Sequence, residues 1–336
     1  MTSMHGFGLG IASKNTSGEI LEVFYPQPLA HLSGAVASAI EGVSGELDDT
    51  SLAQLANALD QTGESGLAQI ARQLINCQET VVATALTENA PPRDVSEAYL
   101  KLHLLSHRLV QPHGTQLEGI FPLLPNIAWT NQGAIDLREL PQRQLDARLR
   151  GEVIEVASVD KFPKMTNYVV PAGVRIAHTA RVRLGAYLGE GTTVMHEGFI
   201  NFNAGTEGPG MVEGRISAGV WVGAGSDLGG GCSTMGTLSG GGNIIISVGK
   251  ECLIGANAGL GIPLGDRCTI EAGLFITAGT KVTVLDGARK PVDTVSARDL
   301  SNRSDLLFRR NSTSGTVECL TNRSAIELNE TLHANN

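Results

Sequence analysis

The chain has 336 residues, 42% of them hydrophobic and 18% charged, with a formal net charge of −9. This apolar fraction fills a real core and excludes wholesale disorder, while the acidic balance, with a pI near 5.4, excludes a chain whose main partner is a nucleic-acid backbone. Aromatic residues make up only 4%, so the core must pack with small and branched side chains.

The start, MTSMHGFGLGIASKNTSGE, has no basic segment followed by an apolar run, so it is not a secretory signal. Nothing resembles the ~18 consecutive apolar residues of a membrane span. The expectation is a soluble, cytoplasmic protein with no membrane partner. Gly6, Gly8 and Gly10 echo a dinucleotide loop without its helix and acidic partner, and read as a flexible start. The five cysteines at 77, 232, 252, 268 and 319 form no CxxC pair, which argues against a disulfide framework or a zinc ribbon.

Residues 1–165 read as an N-terminal α/β domain. Leu52, Leu55, Ala56 and Leu59 repeat at i, i+3, i+4, i+7, as an amphipathic helix does, and Leu67, Ile70, Ala71, Leu74 and Ile75 repeat the pattern after a Gly63–Gly66 break. A third helix is expected to start at a Ser96 cap and run to about Val110, before Pro112. His103 and His107 on it have i, i+4 spacing but no intervening HExxH glutamate, and are assigned to an exposed face. The alternation Glu152-Val153-Ile154-Glu155-Val156-Ala157 reads as a strand.

Glycine then becomes dense: residues 168–282 hold 26 of the 41 in the chain. Branched apolar residues recur every six positions, at Val170, Ile176, Val182, Leu188, Val194, Ile200 and, after a miss at Thr206, Val212. The phase shifts to Val222 and Leu228, again to Val248, Ile254 and Leu260, and again to Leu264, Ile270, Ile276 and Val282. A beat of six fits neither a 3.6-residue helix nor a half-buried strand. It fits a solenoid with six residues per flat face and three faces per coil of 18, apolar side chains inward and small residues at the corners. This domain spans 166–284. A more polar C-terminal segment, 285–336, carries a strand-like Leu306–Phe308 and a turn at 312–316.

The hexapeptide pattern resembles the left-handed parallel β-helix acyltransferases. The stretch Met195–Gly242, MHEGFINFNAGTEGPGMVEGRISAGVWVGAGSDLGGGCSTMGTLSGGG, and the later LLFRRNSTSG (Leu306–Gly315) are similar to the tetrahydrodipicolinate N-succinyltransferases of the longer actinobacterial and pseudomonad type. The resemblance implies a homotrimer with sites between neighbouring prisms, succinyl-CoA as co-substrate, no tightly bound cofactor, and succinyl transfer to the amino group of tetrahydrodipicolinate in its open form, within lysine and diaminopimelate biosynthesis. Narrow prisms bury few side chains alone, which independently favours side-by-side association.

Glu213 is the implied catalytic residue, acting as a base or as a nucleophile through an acyl anhydride; a free carboxylate is a poor base for an ammonium group unless burial raises its pKa. If this stretch is extended, Arg215 lies on the same side as Glu213 and can clamp a substrate carboxylate or pair with Glu213 itself. Resemblance places Gly230, Ser233, Ala256, Glu271, Ala272 and Gly279 along the acyl-CoA path, and Arg309, Arg310, Asn311 and Ser312 near its phosphates. A lysine found in some relatives is Ser296 here, leaving Lys281 or Lys290 to supply that charge. Glu197 matches a position that holds a divalent ion such as magnesium on the trimer axis in some relatives; its partner aspartate is Ala180 here, so a hard cation loses an oxygen ligand, and three copies of Glu197 around the axis are left to recruit it. Cys232, close to the expected thioester site with no base beside it, reads as a packing residue.

Two other readings compete. One is a different CoA-dependent N-acyltransferase, with an acetyl donor or another amine acceptor. The other is a metal protein like the γ-class carbonic anhydrases, disfavoured because residues 168–282 hold only His178 and His196 where zinc catalysis needs three protein ligands.

Overall fold

In the computed structural model, which describes residues 3–236 and 244–321, the glycines of the start lie in a strand. Ser3–Lys14 forms a central strand, paired antiparallel with Ile20–Phe24 and Leu29–Ser33 along one edge and with Thr80–Leu86 along the other. Side chains alternate across it. Phe7 and Leu9 turn into a core with Leu52, Leu55, Ala56, Leu59 and Leu67. On the opposite face a Cβ at Gly8 would stand 2.5 Å from the Tyr25 ring and 2.8 Å from Leu100. The expectation of a flexible start is therefore wrong: these glycines let a tyrosine and a helix pack directly onto the sheet.

The first two helices fall where their periodicity places them, at Asp49–Gln61 and Ser65–Gln73. The third spans Val95–Ser106, and Asp94 caps it by accepting from the Glu97 amide at 2.9 Å, so Ser96 lies inside the helix. It ends before Arg108, whose φ is positive. Every residue from Glu97 to Ser106 is buried, which overturns the exposed face assigned to His103. The His103 Nδ1–H donates to the Tyr99 carbonyl at 2.8 Å, and its Nε2 accepts from the Tyr25 amide at 3.2 Å. Both nitrogens are satisfied only by neutral imidazole, and burial pushes its pKa down to about 3. His107 stacks on it and is half-buried.

Lys101 on the same helix is fully buried, and its ammonium donates to Thr115 Oγ1 at 3.1 Å. No carboxylate among the described residues pairs with it, since Glu97 is held by Arg93. Burial pushes its pKa from 10.5 down to about 8. The folded state therefore binds fewer protons than the unfolded chain between pH 8 and 10.5, and stability is expected to rise with pH across that window. The contribution is on the order of 3 kcal/mol. Melting curves of wild type against Lys101→Met should converge as pH rises from 8 to 10.5; a gap that stays constant would overturn the assignment.

A second sheet in this half has Ile127–Thr130 flanked antiparallel by Gly133–Asp136 and Val156–Asp160, with the helix Leu140–Leu149. The strand expected at 152–157 is displaced to Val156–Asp160. Ile154, just before it, is the residue that enters the small core with Ala128, Ile135 and Ala147.

The chain divides into two compact units between Val169 and Val170. In the second, successive strands fall in rotation into three parallel sheets. Ile176, Val194, Val212, Leu228, Ile254 and Ile270 are stacked on the first face. Val182, Ile200, Ile216, Thr234, Leu260 and Ile276 align on the second, and Leu188, Thr206, Val222 and Val248 on the third. The phase shifts are changes in coil length: Val194 pairs with Val212, Val212 with Leu228, and Leu228 with Ile254, and residues 237–243 of that last, longer coil lie outside the described residues. Thr206 is no break in the core. Its hydroxyl is buried 2.8 Å from that of Thr192, which also bonds the Gly189 carbonyl at 2.7 Å. Val170, the first of the expected inward series, is exposed instead.

Leu306–Arg310 continues the first face in parallel with Thr269–Ile270, placing Phe308 under Ile270 as an end cap. Val317–Thr321 pairs with it antiparallel, and a turn closed by Asn311 and Gly315 joins the two. Residues 322–336 of the C-terminal segment lie outside the described residues.

Candidate active site on the solenoid corner

The corner between the first and second faces stacks one short turn per coil. Backbone bonds run down it from the Met195 amide to Val212, from Glu213 to Leu228, from Gly229 to Ile254, from Gly255 to Ile270 and from Glu271 to Phe308, each at 2.8 or 2.9 Å. Glu213 sits on this column between the strands Gly210–Val212 and Arg215–Ile216. It is half-buried. Its carboxylate Oε2 lies 3.5 Å from where a Gly230 Cβ would stand, so Gly230 leaves the approach to the carboxylate open. Among the described residues neither Glu213 nor Arg215 forms an ion pair.

Glu213 and Arg215 do not belong to one extended strand, since the corner falls between them and the period-two argument does not apply. Arg215 projects outward on the second face, in register with Phe199 on one neighbouring coil and Ser233 on the other. These three line a cleft of about 520 Å3 together with Arg181, Glu197, Asn201, Ser217 and the corner residues Gly214, Gly231 and Cys232. A guanidinium with no ion-pair partner among the described residues can, in such a cleft, take a carboxylate in bidentate fashion.

Cys232 is buried beneath the corner, and a Cβ on Gly214 would stand 2.3 Å from its sulfur. Burial first, and the charge of Glu213 second, push the thiol up to about 12. It stays protonated near neutrality and serves as packing rather than as a nucleophile.

The other expected residues divide. Ala256 and Ala272 succeed Gly230 down the same column, their amides close against Gly229 and Gly255. The Glu271 carboxylate accepts from the Arg310 amide at 2.7 Å. Gly279 instead lies beyond the strand Phe275–Thr277, in a turn held by Thr277 and Thr280. Arg309 is bonded to Glu318 at 2.8 Å, and Asn311 reaches the same carboxylate. That carboxylate is held below its usual range chiefly by the Asn311 amide, with Arg309 adding to it. Arg310 and Ser312 are exposed at the turn, where the Arg310 guanidinium donates to the Gly315 carbonyl. Lys281 donates to the Ser296 hydroxyl at 3.1 Å, which puts a cation beside Ser296.

Glu197 is exposed and paired with Arg181 at 2.8 Å. Among the described residues no group of three or more His, Cys, Asp or Glu is arranged to hold a metal ion. His178 and His196 do meet on adjacent coils, edge to face, with ring centroids 5.9 Å apart. Phe199, Asn201 and Ser217 went unnoticed in the sequence; the signal for each was its place one residue before or after an inward apolar position, which marks an outward-facing side chain.

The family model described as tetrahydrodipicolinate N-succinyltransferase middle matches residues 124–164, and that described as hexapeptide repeat of succinyl-transferase matches residues 245–278. A 2,3,4,5-tetrahydropyridine-2,6-dicarboxylate N-succinyltransferase of Pseudomonas putida is 64% identical over 99% of both chains. One of Vibrio cholerae is 58% identical over 98% of both. A crystal structure of a putative 2,3,4,5-tetrahydropyridine-2-carboxylate N-succinyltransferase from Campylobacter jejuni superposes with a TM-score of 0.86 at 31% identity, covering 97% of this chain and 94% of that one. No helix among the described residues is long and apolar enough to cross a membrane. On its length, coverage and repeat, this chain belongs to the tetrahydropyridine-dicarboxylate N-succinyltransferase family.

Proposed function

We infer that this chain transfers the succinyl group of succinyl-CoA to the amino group of tetrahydrodipicolinate in its open 2-amino-6-oxopimelate form, giving N-succinyl-2-amino-6-oxopimelate and CoA within cytoplasmic lysine and diaminopimelate biosynthesis. The observation that carries the reading is the Glu213 carboxylate, unpaired among the described residues, on a glycine-lined corner beside the Arg215 cleft. The amine attacks the thioester carbonyl, the C–S bond breaks, CoA leaves as thiolate, and the amine loses a proton. Glu213 takes that proton as a base, or first accepts the acyl group as an anhydride. Arg215 clamps a carboxylate, which both the succinyl group and the acceptor carry. Gly230, Ser233, Ala256, Glu271 and Ala272 line the path of the donor, with Gly279 and the Arg309–Ser312 turn at its far end and Lys281 supplying charge at Ser296.

The coil is left-handed and the working unit a homotrimer, readings supported by the hexapeptide match and by the few side chains that one prism buries. Three copies of Glu197 around the trimer axis are the candidate ligands for a divalent ion, with the Arg181 guanidinium competing for each carboxylate. Thiol release should require tetrahydrodipicolinate and be much faster with succinyl-CoA than with acetyl-CoA. Equal turnover of the two donors would remove the donor assignment, and loss of activity on chelation would favour the metal reading.

A further inference from the structure

The second face carries an apolar feature below the cleft that the acyl-transfer chemistry does not use. Its outward positions run in register through Phe199, Arg215, Ser233, Gly259 and Phe275 on successive coils. Phe275 is 56% exposed, a large apolar side chain in a chain with only eight phenylalanines. Its ring is folded back onto Gly259: a Cβ there would stand 2.1 Å from Phe275 Cδ1 and 2.2 Å from Cε1. Gly261, the other outward residue of that strand, carries the Met235 sulfur in the same way, 2.6 Å from where its Cβ would be. Two glycines thus let a phenyl ring and a thioether lie flat against backbone, making a smooth apolar platform. It begins at Gly259, one coil below Ser233, roughly 5 Å at about 4.8 Å per coil, and Phe275 is bracketed along the chain by Ala272 and Gly279.

A donor whose thioester reaches Glu213 trails a long uncharged arm of methylenes and amides, and such an arm gains most from a flat apolar surface in line with the cleft. We propose that the Phe275 ring, seated on Gly259, is the surface on which the pantetheine arm of the acyl-CoA rests, setting donor affinity without touching the reacting atoms. This rests on the acyl-CoA reading of the same site.

The test is Phe275→Ala beside Phe275→Leu, with calorimetric titration of free CoA, initial rates against succinyl-CoA and against the acceptor, and mass by light scattering. Phe275→Ala should weaken CoA binding and raise KM for succinyl-CoA about tenfold, equivalent to about 1.4 kcal/mol, while kcat, the acceptor KM and the mass of the assembly stay at wild-type values. Phe275→Leu should fall between. Unchanged CoA affinity, or a lowered assembly mass with both KM values altered, would overturn the proposal, the second outcome assigning the ring to self-association. If wild-type protein fails to turn over succinyl-CoA, the donor reading fails; the CoA titration still decides whether Phe275 holds the arm.

Discussion

Glu213→Ala is expected to lower kcat by about 10^3-fold, with Glu213→Gln close behind, while melting temperature and assembly mass stay at wild-type values. A positioned base contributes about 10^2 to 10^4 in rate, and a nucleophile that forms the covalent intermediate contributes at least as much, so the loss does not depend on which role is correct. The fold should not suffer. Glu213 is half-buried, makes no ion pair among the described residues, and its backbone bonds to Leu228 and Gly231 are independent of its side chain. Steady-state rates with saturating succinyl-CoA and acceptor give the answer. A variant retaining more than a tenth of wild-type kcat would remove Glu213 from the chemistry and leave the corner as architecture only.

The largest effect on stability is expected from Gly189→Ala. The position needs no left-handed backbone, so the penalty is purely steric: a Cβ there would stand 1.8 Å from the Glu207 carbonyl oxygen and 2.2 Å from its carbon on the next coil. The Gly189 amide is meanwhile tied to the Thr206 carbonyl at 2.9 Å, so the coils cannot separate without breaking the ladder. Backbone against backbone leaves no flexible side chain to yield, and a cost of about 3 kcal/mol follows from overpacking of this kind. Urea midpoints should show it against Gly287→Ala, where nothing lies within 4 Å and little change is expected. A Gly189→Ala midpoint equal to that control would mean the coils are spaced more loosely than described.

Elements governed by local periodicity were legible from the residues alone. The helix Asp49–Gln61 buries the four positions that its pattern selects, and the six-residue beat names nearly every inward side chain of the three stacks. Three of the misreadings share one cause. Gly6, Gly8 and Gly10 resemble a loop until the Tyr25 ring and Leu100 are known to press on them. His103 resembles a surface residue until the Tyr25 amide and the Tyr99 carbonyl claim its nitrogens. Thr206 resembles a gap until Thr192 supplies a partner for its hydroxyl. In each case the deciding neighbour is distant along the chain or on another coil, and no window of sequence contains it.

The same division holds at the site. The order of residues was enough to determine a three-sided coil, because a repeat of six with small corner residues leaves the backbone few other ways to hide its branched side chains, whereas Glu213 was singled out by family resemblance and not by the repeat. Packing alone decided that a corner separates Glu213 from Arg215, that Arg309 is committed to Glu318, and that the Phe275 ring lies flat on Gly259. Those outcomes depend on coil length and on contact between coils, which set distances that spacing along the chain does not encode.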